Sequence, residues 1–424
     1  MAKGTIAIFF WDGWLGVAPS LINAIRLLTE AGYKVDIITR HSKTEFAKFP
    51  HFSSGVRILF CPSPKTQSIV INNIGSSLGD ISKSNIIVIL KMFFQFLKRV
   101  LQKLSGQILF IAERLQFLKF SYNSLKYRKY HCFVGVDKEG LIIATIISFF
   151  VKIPVFYWSL EICFLNEFKF IDWDKRLVKH LERICHRKVQ LTIIQDKQRA
   201  KALMDENRVK SRVAIVPNAP LGRSPKLSSN YFQCKFNLPD FQRIILHMGW
   251  ISENFLSLEI AKVASKWPDT WTLIFHERAR RDPSDPYLRN IQKEGGNHVL
   301  LSLDPVPFDE LDLLYSSGHI GIFAYNSNSG PNFSLMAGAS GKLAHYLKCG
   351  LPVICLTLPG LNEIICKYQC GLVVEDLLEV TRAIEIIFNN YDFYKANAVK
   401  CYEEIYEFSR HFNQVIKDIE NLNI

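Results

Sequence analysis

Short apolar runs alternate with amphipathic stretches from the start of the chain. The run "TIAIFF" has the continuous apolar character of a buried strand, and a loop with Gly13 and Gly16 follows it. Pro19 suits the first turn of a helix that we expect to reach about Ala31, where Gly32 ends it. With the next run, "KVDIIT", this segment predicts a βαβ unit. Further apolar runs typical of strands lie at 132–136, 154–159 and 191–195.

The same alternation begins again in the second half of the chain, after a polar loop that follows "VAIVPNAPLG". It predicts two successive doubly wound, Rossmann-like α/β domains with parallel sheets, an N-terminal one over 1–217 and a C-terminal one over 218–391. A helical tail is expected over 392–424. Parallel sheets bind ligands at the carboxyl ends of their strands, so the two domains are expected to face each other across a cleft. The second set of predicted strands lies at 243–249, 271–276, 299–303, 320–325 and 352–357.

Composition and charge add a candidate surface to this fold. The chain has 424 residues, of which 48% are hydrophobic and 21% charged, which fits a globular protein and excludes a disordered one. The net charge is +13, and residues 86–130 hold nine Lys or Arg against the single Glu113. The spacing predicts an insertion of basic amphipathic helices, a second one over about 107–120, and 86–120 suits an anionic membrane surface. The alternative is an ordinary surface helix with a solvated basic face. No nucleic-acid-binding motif accompanies the charges, so nucleic acid is not an expected partner.

The remaining composition favours a protein of the cytoplasm. Ten cysteines are scattered without metal-ligand spacing, so we expect reduced thiols and neither a metal nor a cofactor. We expect no signal peptide, because the first apolar run leads into a loop without a cleavage site. The longest apolar run, 141–151, is too short to span a membrane and predicts a buried helix.

The stretch "SGKLAHYLKCGLPVI" (340–354) carries the clearest candidate chemistry. A Ser-Gly-Lys triplet precedes an apolar-periodic helix, and a helix N-terminus presents unpaired N–H groups and partial positive charge to an anion. A P-loop is excluded, because Met336 and Leu343 stand where that motif needs Gly and Ser or Thr. The triplet therefore predicts a phosphate site that is not of the Walker A type, formed by Ser340, Gly341 and Lys342.

The C-terminal half, from "FDELDLLYSSG" through "GKLAHYLKCGLPVI" to "PGLNEII", resembles nucleotide-sugar-dependent glycosyltransferases of the GT-B fold, specifically the retaining family 4 type. The N-terminal half agrees in "VGVDKEGLIIA" and "PVFYWSLEI". The resemblance implies a nucleoside diphosphate donor on the C-terminal domain and an acceptor that enters from the N-terminal domain. It also implies transfer with retention and without a protein nucleophile. Lys342 and its helix would then stabilise the departing diphosphate.

The resemblance implies three sets of site residues. The catalytic candidates are Lys342, Asp12 and Asp137. The acceptor candidates are Asp137, Glu139 and Glu161, of which Glu161 follows a strand end and faces the cleft or caps a helix. The donor candidates are Gly13, Gly16, Ser340, Gly341, Lys342, His345, Glu363 and Arg278. Glu363 is either a donor contact or a helix-start carboxylate that the helix dipole favours.

Three departures from the family pattern concern donor contacts, and one of them is the loop 326–339, which is longer and more polar than the common pattern. The family usually has two glutamates in this region, and this chain has Ala337 and His345 at their positions. His345 therefore either bonds a ribose hydroxyl or is a structural histidine. The family binds the diphosphate with an Arg and a Lys after the first strand of the second domain. This chain has Trp250 and Phe255 at those positions, and neither carries a charge. The run with Arg278, Arg280 and Arg281 is either a substitute clamp or a solvated charge cluster.

Three functions fit these observations. The first is a glycosyltransferase at the cytosolic face of the membrane, which transfers a sugar to a lipid-linked or polysaccharide acceptor. The second is a non-catalytic GT-B relative that acts as a membrane-associated subunit or scaffold. The third is another cleft enzyme of this architecture, such as a nucleotide-sugar epimerase or a glycan phosphorylase.

Overall fold

The computed structural model describes residues 3–41, 51–62, 106–225, 228–326 and 329–422. Within them, seven parallel strands form a first sheet in the order β3-β2-β1-β4-β5-β6-β7. Its inner strands are mainly apolar runs buried between helices on both faces, whereas the edge strands β3 and β7 are only partly buried. The strands are β1 (Gly4–Phe10), β2 (Tyr33–Arg40), β3 (Val56–Cys61), β4 (Cys132–Val136), β5 (Val155–Trp158), β6 (Leu191–Ile194) and β7 (Val213–Ile215).

Five helices accompany this sheet in the described residues. The first begins with Pro19 at its first turn, where the missing N–H of proline costs no hydrogen bond. The helices are α1 (Pro19–Glu30), α2 (106–125), α3 (Asp137–Val151), α4 (Trp173–His186) and α5 (Lys197–Asn207).

A second parallel sheet of six described strands has the order β10-β9-β8-β11-β12-β13. Its strands are β8 (Arg243–Met248), β9 (Trp271–His276), β10 (Val299–Ser302), β11 (Ile320–Phe323), β12 (Val353–Leu356) and β13 (Gly371–Val374). Its helices are α6 (Tyr231–Phe236), α7 (Ser257–Ala264), α8 (Pro286–Gly295), α9 (Leu311–Tyr315), α10 (Pro331–Ser334), α11 (Gly341–Lys348), α12 (Leu361–Tyr368), α13 (Val380–Asn389) and α14 (Tyr391–Cys401).

The last helix, α15 (Phe408–Glu420), returns to the first domain. Its residues Phe408, Phe412 and Ile419 are buried in the same core as α1 and β1. Helix α14 packs instead in the core of the second domain. The segment that the sequence analysis treated as a tail, 392–424, thus contributes to both cores and ties the two domains together.

A loop of the second domain presses directly on the first domain beside α11. The amide of Gly338 donates to Asp196 Oδ2 at 3.0 Å, and a Cβ at Gly338 would lie 2.4 Å from the carbonyl oxygen of Gln195. Only a glycine permits this backbone approach. Asn218 ties the same loop to α1, because it accepts from Ser20 Oγ at 2.7 Å and donates to the Ala339 carbonyl at 3.1 Å.

The two doubly wound parallel domains predicted from the sequence are confirmed. The helix predicted over 107–120 lies within α2, whereas 86–105 falls outside the described residues. One detail was wrong: the run 141–151 forms a helix that is buried over most of its length, but Phe149 and Phe150 at its end are exposed. None of the described helices is long and apolar enough to cross a bilayer.

Candidate functional site

A cavity of about 640 Å³ lies where the carboxyl ends of both sheets meet. Loops that follow β1, β4 and β5 form one wall, and α11 with the loops after β8, β9 and β11 forms the other. This is the edge at which parallel α/β sheets bind ligands. The predicted site residues on its wall are Asp12, Gly16, Asp137, Glu161, Arg278, Ser340, Gly341, Lys342 and His345.

The N-terminus of α11 is the most polar feature of the second wall. Ser340 precedes the helix with an extended backbone, and its hydroxyl pairs with the Tyr325 hydroxyl at 3.0 Å rather than capping the helix. A Cβ at Gly341 would meet nothing nearer than the Asn218 side chain at 3.6 Å. The first N–H groups of the helix therefore remain available to an anion in the cavity.

The amine of Lys342 is buried without an anionic partner among the described residues, although the residue as a whole is only partly buried. Its ammonium lies over three aromatic rings, 4.6 Å from the centroid of Tyr325, 4.7 Å from Phe255 and 5.6 Å from Phe323. Its Nζ makes no hydrogen bond among the described residues. Burial lowers the pKa of this amine to about 7, because little around it compensates for the lost water. The aromatic faces stabilise the cation only weakly, so an anion that enters the cavity would gain a strong partner.

Three carboxyl groups face this helix from the first domain. Asp137 opens α3 with a left-handed backbone (φ 53°), and its Oδ1 accepts the amides of Leu160 and Glu161, each at 2.8 Å. Burial raises the pKa of Asp137 to about 8. Loss of water also raises the pKa of Asp12 and of Glu161, although both side chains remain accessible from the cleft. The cluster therefore contains one buried carboxyl group that tends to stay protonated, Asp137, and two more accessible ones, Asp12 and Glu161.

Three predicted site residues are not on the cavity wall. Glu139 is buried beside α2, where it pairs with Arg114 at 2.7 Å, and it does not line the cavity. Glu363 is exposed in the first turn of α12, away from the cavity. Gly13 lies between two cavity residues, Asp12 and Trp14, without lining the cavity itself.

The three arginines of the basic run divide into one cavity residue and two structural ones. Arg278 lies on the cavity wall, with its guanidinium 5.9 Å from the Trp250 ring centroid. Arg280 pairs with Asp304 at 3.4 Å on the surface. Arg281 donates to Asp285 at 2.8 Å and so supports the loop. Of these three arginines, only Arg278 is therefore placed to contact a diphosphate in the cavity.

His345 reaches the cavity but is already engaged on one side. Its Nε2 lies 2.7 Å from Asp312 Oδ1, and its ring stacks on Tyr315. Among the described residues, Asp312, His345 and Cys349 form one group whose ligand atoms could hold a metal ion. Lys348 donates to the same carboxylate at 2.7 Å, and burial raises the pKa of the Cys349 thiol to about 12. An ammonium and a protonated thiol both oppose a divalent cation there.

The sequence analysis missed Arg199, which joins the two domains at the cavity. Its guanidinium donates to the Leu160 carbonyl at 2.8 Å in the first domain and to Asn332 Oδ1 at 3.0 Å in the second. Burial lowers its pKa, and its Nε has no partner among the described residues. Nothing in its local sequence distinguishes it from an ordinary helical arginine.

The comparisons with known proteins agree with this architecture. Residues 306–416 match the family model described as glucosyltransferase 3-like, C-terminal domain. A comparison of the sequence with curated proteins gives no significant match.

Several solved structures share the fold of the whole chain. HepE from Anabaena, in complex with UDP and glucose, has a TM-score of 0.67 at 13% identity, with 99% of this chain and 100% of that chain covered. Sucrose-phosphate synthase from Thermosynechococcus elongatus has a TM-score of 0.66 at 13% identity, with 99% and 98% covered. WaaG, a glycosyltransferase involved in lipopolysaccharide biosynthesis, has a TM-score of 0.63 at 12% identity, with 98% and 100% covered. The chain therefore has the GT-B fold of glycosyltransferases, which confirms at the level of the fold the resemblance found in its sequence.

Proposed function

We propose that the protein is a glycosyltransferase that takes a sugar from a nucleoside diphosphate donor bound at the N-terminus of α11. The observation that carries this proposal is the buried, unpartnered amine of Lys342, which lies at a helix N-terminus in a cleft between two Rossmann-like domains. A buried amine without a partner is costly, and a diphosphate supplies the missing charge. HepE, which shares the fold, is described in complex with UDP and glucose, so UDP-glucose is the first donor to test.

In this proposal, the second domain handles the leaving group and the first domain handles the acceptor. The bond between the anomeric carbon and the diphosphate breaks, a new bond forms to the acceptor oxygen, and the proton of the acceptor hydroxyl passes to the departing diphosphate. Lys342, Arg278 and the N–H groups of α11 stabilise the charge that develops on the diphosphate. Asp12 and Glu161, which are accessible from the cleft, orient the acceptor hydroxyl. We propose transfer with retention, as the family resemblance implies, without a protein nucleophile.

A non-catalytic scaffold is the second candidate. It is favoured by Trp250 and Phe255, which place aromatic rings where the family carries charged diphosphate contacts. Binding and turnover separate the two functions, because a scaffold that has lost its donor site would leave nucleotide sugars intact.

The test is calorimetric titration of the full chain with UDP, GDP, ADP and CMP, followed by turnover of the matching nucleotide sugar. Arg278 and Arg280 form a matched pair of variants, because one lies on the cavity wall and the other pairs with Asp304 on the surface. We expect Arg278→Ala to weaken binding of the preferred diphosphate by about tenfold, the scale of one charged hydrogen bond. Arg280→Ala should leave it unchanged. Equal effects of both variants, or no binding of any nucleotide at millimolar concentration, would contradict the proposal.

We further propose that the acceptor is lipid-linked or a polysaccharide and is met at the cytosolic face of the membrane. An apolar surface supports this, formed by Ile108, Leu109, Phe170, Ile171, Trp173 and Leu177, all of them exposed. Gln107 joins its two parts, because it donates to the Ile171 carbonyl and accepts from the Trp173 indole. The same loop after β5 carries Glu161 on the cavity wall, so the apolar surface and the acceptor side belong to one segment of the chain. Lys169 and Lys175 are exposed beside it and suit anionic headgroups.

Sedimentation with vesicles of phosphatidylglycerol tests this surface. Phe170→Ser with Leu177→Ser should reduce the bound fraction several-fold, and Phe241→Ser, an exposed apolar residue of the second domain, should not. A second variant replaces four basic residues outside the described part of the chain by glutamine, and it should also be released from the vesicles. The four residues are Lys91, Lys98, Arg99 and Lys103. Binding that none of these variants alters would contradict the membrane proposal.

A further inference from the structure

Asn332 reaches from the second domain to the loop that follows β5 in the first domain. It lies in α10, within the loop 326–339 that departs from the family pattern. Its Oδ1 accepts the Ile162 amide at 3.0 Å, and its Nδ2 donates to the Ile162 carbonyl at 2.8 Å. Ile162 is only 1% exposed, so both of its polar backbone groups find in Asn332 the hydrogen bonds that water does not supply.

Arg199 reinforces this contact from the first domain. Its Nη2 donates both to Asn332 Oδ1 at 3.0 Å and to the Leu160 carbonyl at 2.8 Å. Its Nη1 donates to the Leu335 carbonyl of the second domain at 3.1 Å. Because this guanidinium is buried, little water competes for these bonds. Asn332 and the loop 160–162 are therefore fixed relative to each other.

Glu161 lies between the two anchored residues of this loop, and its side chain lines the cavity. No hydrogen bond or ion pair with the described residues holds its carboxylate. Its backbone is held instead, since Asp137 Oδ1 accepts the amides of Leu160 and Glu161 and Asn332 binds Ile162. The direction in which the Glu161 carboxylate points therefore depends on the loop backbone, and part of the support of that backbone comes from the second domain.

We propose that Asn332 is a positioning residue of the acceptor site. It holds the loop 160–162 so that Glu161 faces the acceptor hydroxyl, and the acceptor site is complete only while α10 of the second domain contacts this loop. This inference rests on the proposed function, because it takes Glu161 to orient the acceptor. If Asn332 only tied the domains together, its loss would reduce stability without a specific effect on turnover.

Hydrogen exchange of the full chain, measured by mass spectrometry, tests the contact itself. Asn332→Ala should accelerate exchange in peptides that cover 160–164 by about tenfold, because the Ile162 amide loses its acceptor. Asn332→Asp keeps that acceptor but loses the donor, so its exchange should be intermediate. Asp309→Asn is the matched control, because it removes a contact between the domains, 2.9 Å from Arg26, that does not involve this loop. Exchange at 160–164 that is as slow in Asn332→Ala as in the control would overturn the inference.

Turnover of the matching nucleotide sugar, UDP-glucose first, with water as the acceptor, tests the consequence. Asn332→Ala should lower kcat by about 10- to 100-fold, the scale of a misplaced reactant, and leave the KM for the nucleotide sugar within about twofold. The KM is decisive, because the neighbouring Phe333 contacts Phe255, which covers the Lys342 amine on the donor side. Asp309→Asn should leave both constants unchanged.

A double variant shows whether Asn332 acts through Glu161. Glu161→Gln should lower kcat as Asn332→Ala does, and the two changes together should lower it no further, because both remove the same oriented carboxylate. Losses that multiply in the double variant, or a raised KM with an unchanged kcat in Asn332→Ala, would overturn the inference and leave the proposed function standing. A wild type that turns over no nucleotide sugar would overturn both.

Discussion

Replacement of Lys342 by methionine should stabilise the free protein and weaken its binding of a diphosphate. The pKa of Lys342 falls from 10.5 to about 7. At 1.36 kcal/mol per pH unit, this corresponds to a cost of about 5 kcal/mol for keeping the amine protonated in the folded state. Methionine fills a similar volume without a charge. Because part of the cost is relieved by relaxation around the new side chain, we expect a gain of about 1–4 kcal/mol in the free energy of unfolding at pH 6.

The gain should depend on pH with a defined sign. Between pH 7 and pH 10.5, the unfolded chain holds a proton on Lys342 that the folded chain does not. The stability of the wild type therefore rises with pH across this window, whereas Lys342→Met has no such contribution. The advantage of the variant should shrink by about 3 kcal/mol between pH 6 and pH 9. UDP affinity should fall by about tenfold or more in the variant, the scale of a charged hydrogen bond.

Urea unfolding at pH 6, 7.5 and 9 measures this effect, and Lys348→Met on the same helix is the matched control. Lys348 is also buried, but its amine lies 2.7 Å from Asp312 Oδ2 and 3.0 Å from the Leu221 carbonyl. Its removal takes the cationic partner from the half-buried Asp312 carboxylate and a donor from the Leu221 carbonyl, and should destabilise the protein. The opposite signs of the two variants distinguish an unpartnered lysine from a paired one. A Lys342→Met variant that is less stable at pH 6, or whose gain does not change with pH, would refute the reasoning.

Three further predictions concern residues around the cleft. The raised pKa of Asp137 makes the folded chain hold a proton that the unfolded chain loses, so wild-type stability should decrease as the pH rises from 3.8 through 8. Asp137→Asn should remove this decrease. Urea unfolding across that range measures how stability changes with pH, and an unchanged dependence in the variant would exclude Asp137 as its source. Gly338→Ala should lower the melting temperature by several degrees, because its Cβ would lie 2.4 Å from a carbonyl oxygen. Gly341→Ala, whose Cβ would have no contact nearer than 3.6 Å, should change the melting temperature little. Equal shifts in the two variants would count against the close approach at Gly338. Glu139→Gln should lower the free energy of unfolding in urea by about 1–3 kcal/mol, because it loses its ion pair with Arg114. The KM for the acceptor should stay unchanged. A raised KM would show that Glu139 takes part in acceptor binding.

The fold was predictable because each strand is a short apolar run flanked by helical periodicity. The order of elements then allowed few topologies. The first-turn proline of α1 and the triplet before α11 were also local signals, and the structure places both at the cavity. Strands β3, β7 and β13 were not predicted, and all three lie at the edges of their sheets, where an apolar run is less continuously buried.

Much of the cavity chemistry could not be predicted from local sequence. Phe255 covers the amine of Lys342 although the two are 87 positions apart, and Asp312 reaches His345 across 33 positions. Such pairs depend on how α9 and the loop after β8 pack against α11, which periodicity does not report. Glu139 was given as an acceptor candidate from the family resemblance, and its ion pair with Arg114, 25 positions away, could not be predicted from local sequence either.

A crystal structure of the full chain with UDP, or with whichever nucleoside diphosphate binds, tests the central claim most directly. We predict that the diphosphate lies at the N-terminus of α11, within hydrogen-bond distance of the Lys342 amine and the first amides of the helix. The guanidinium of Arg278 should approach it from the facing loop. A nucleotide bound elsewhere, or an α11 N-terminus that stays unoccupied at saturating ligand, would contradict the claim.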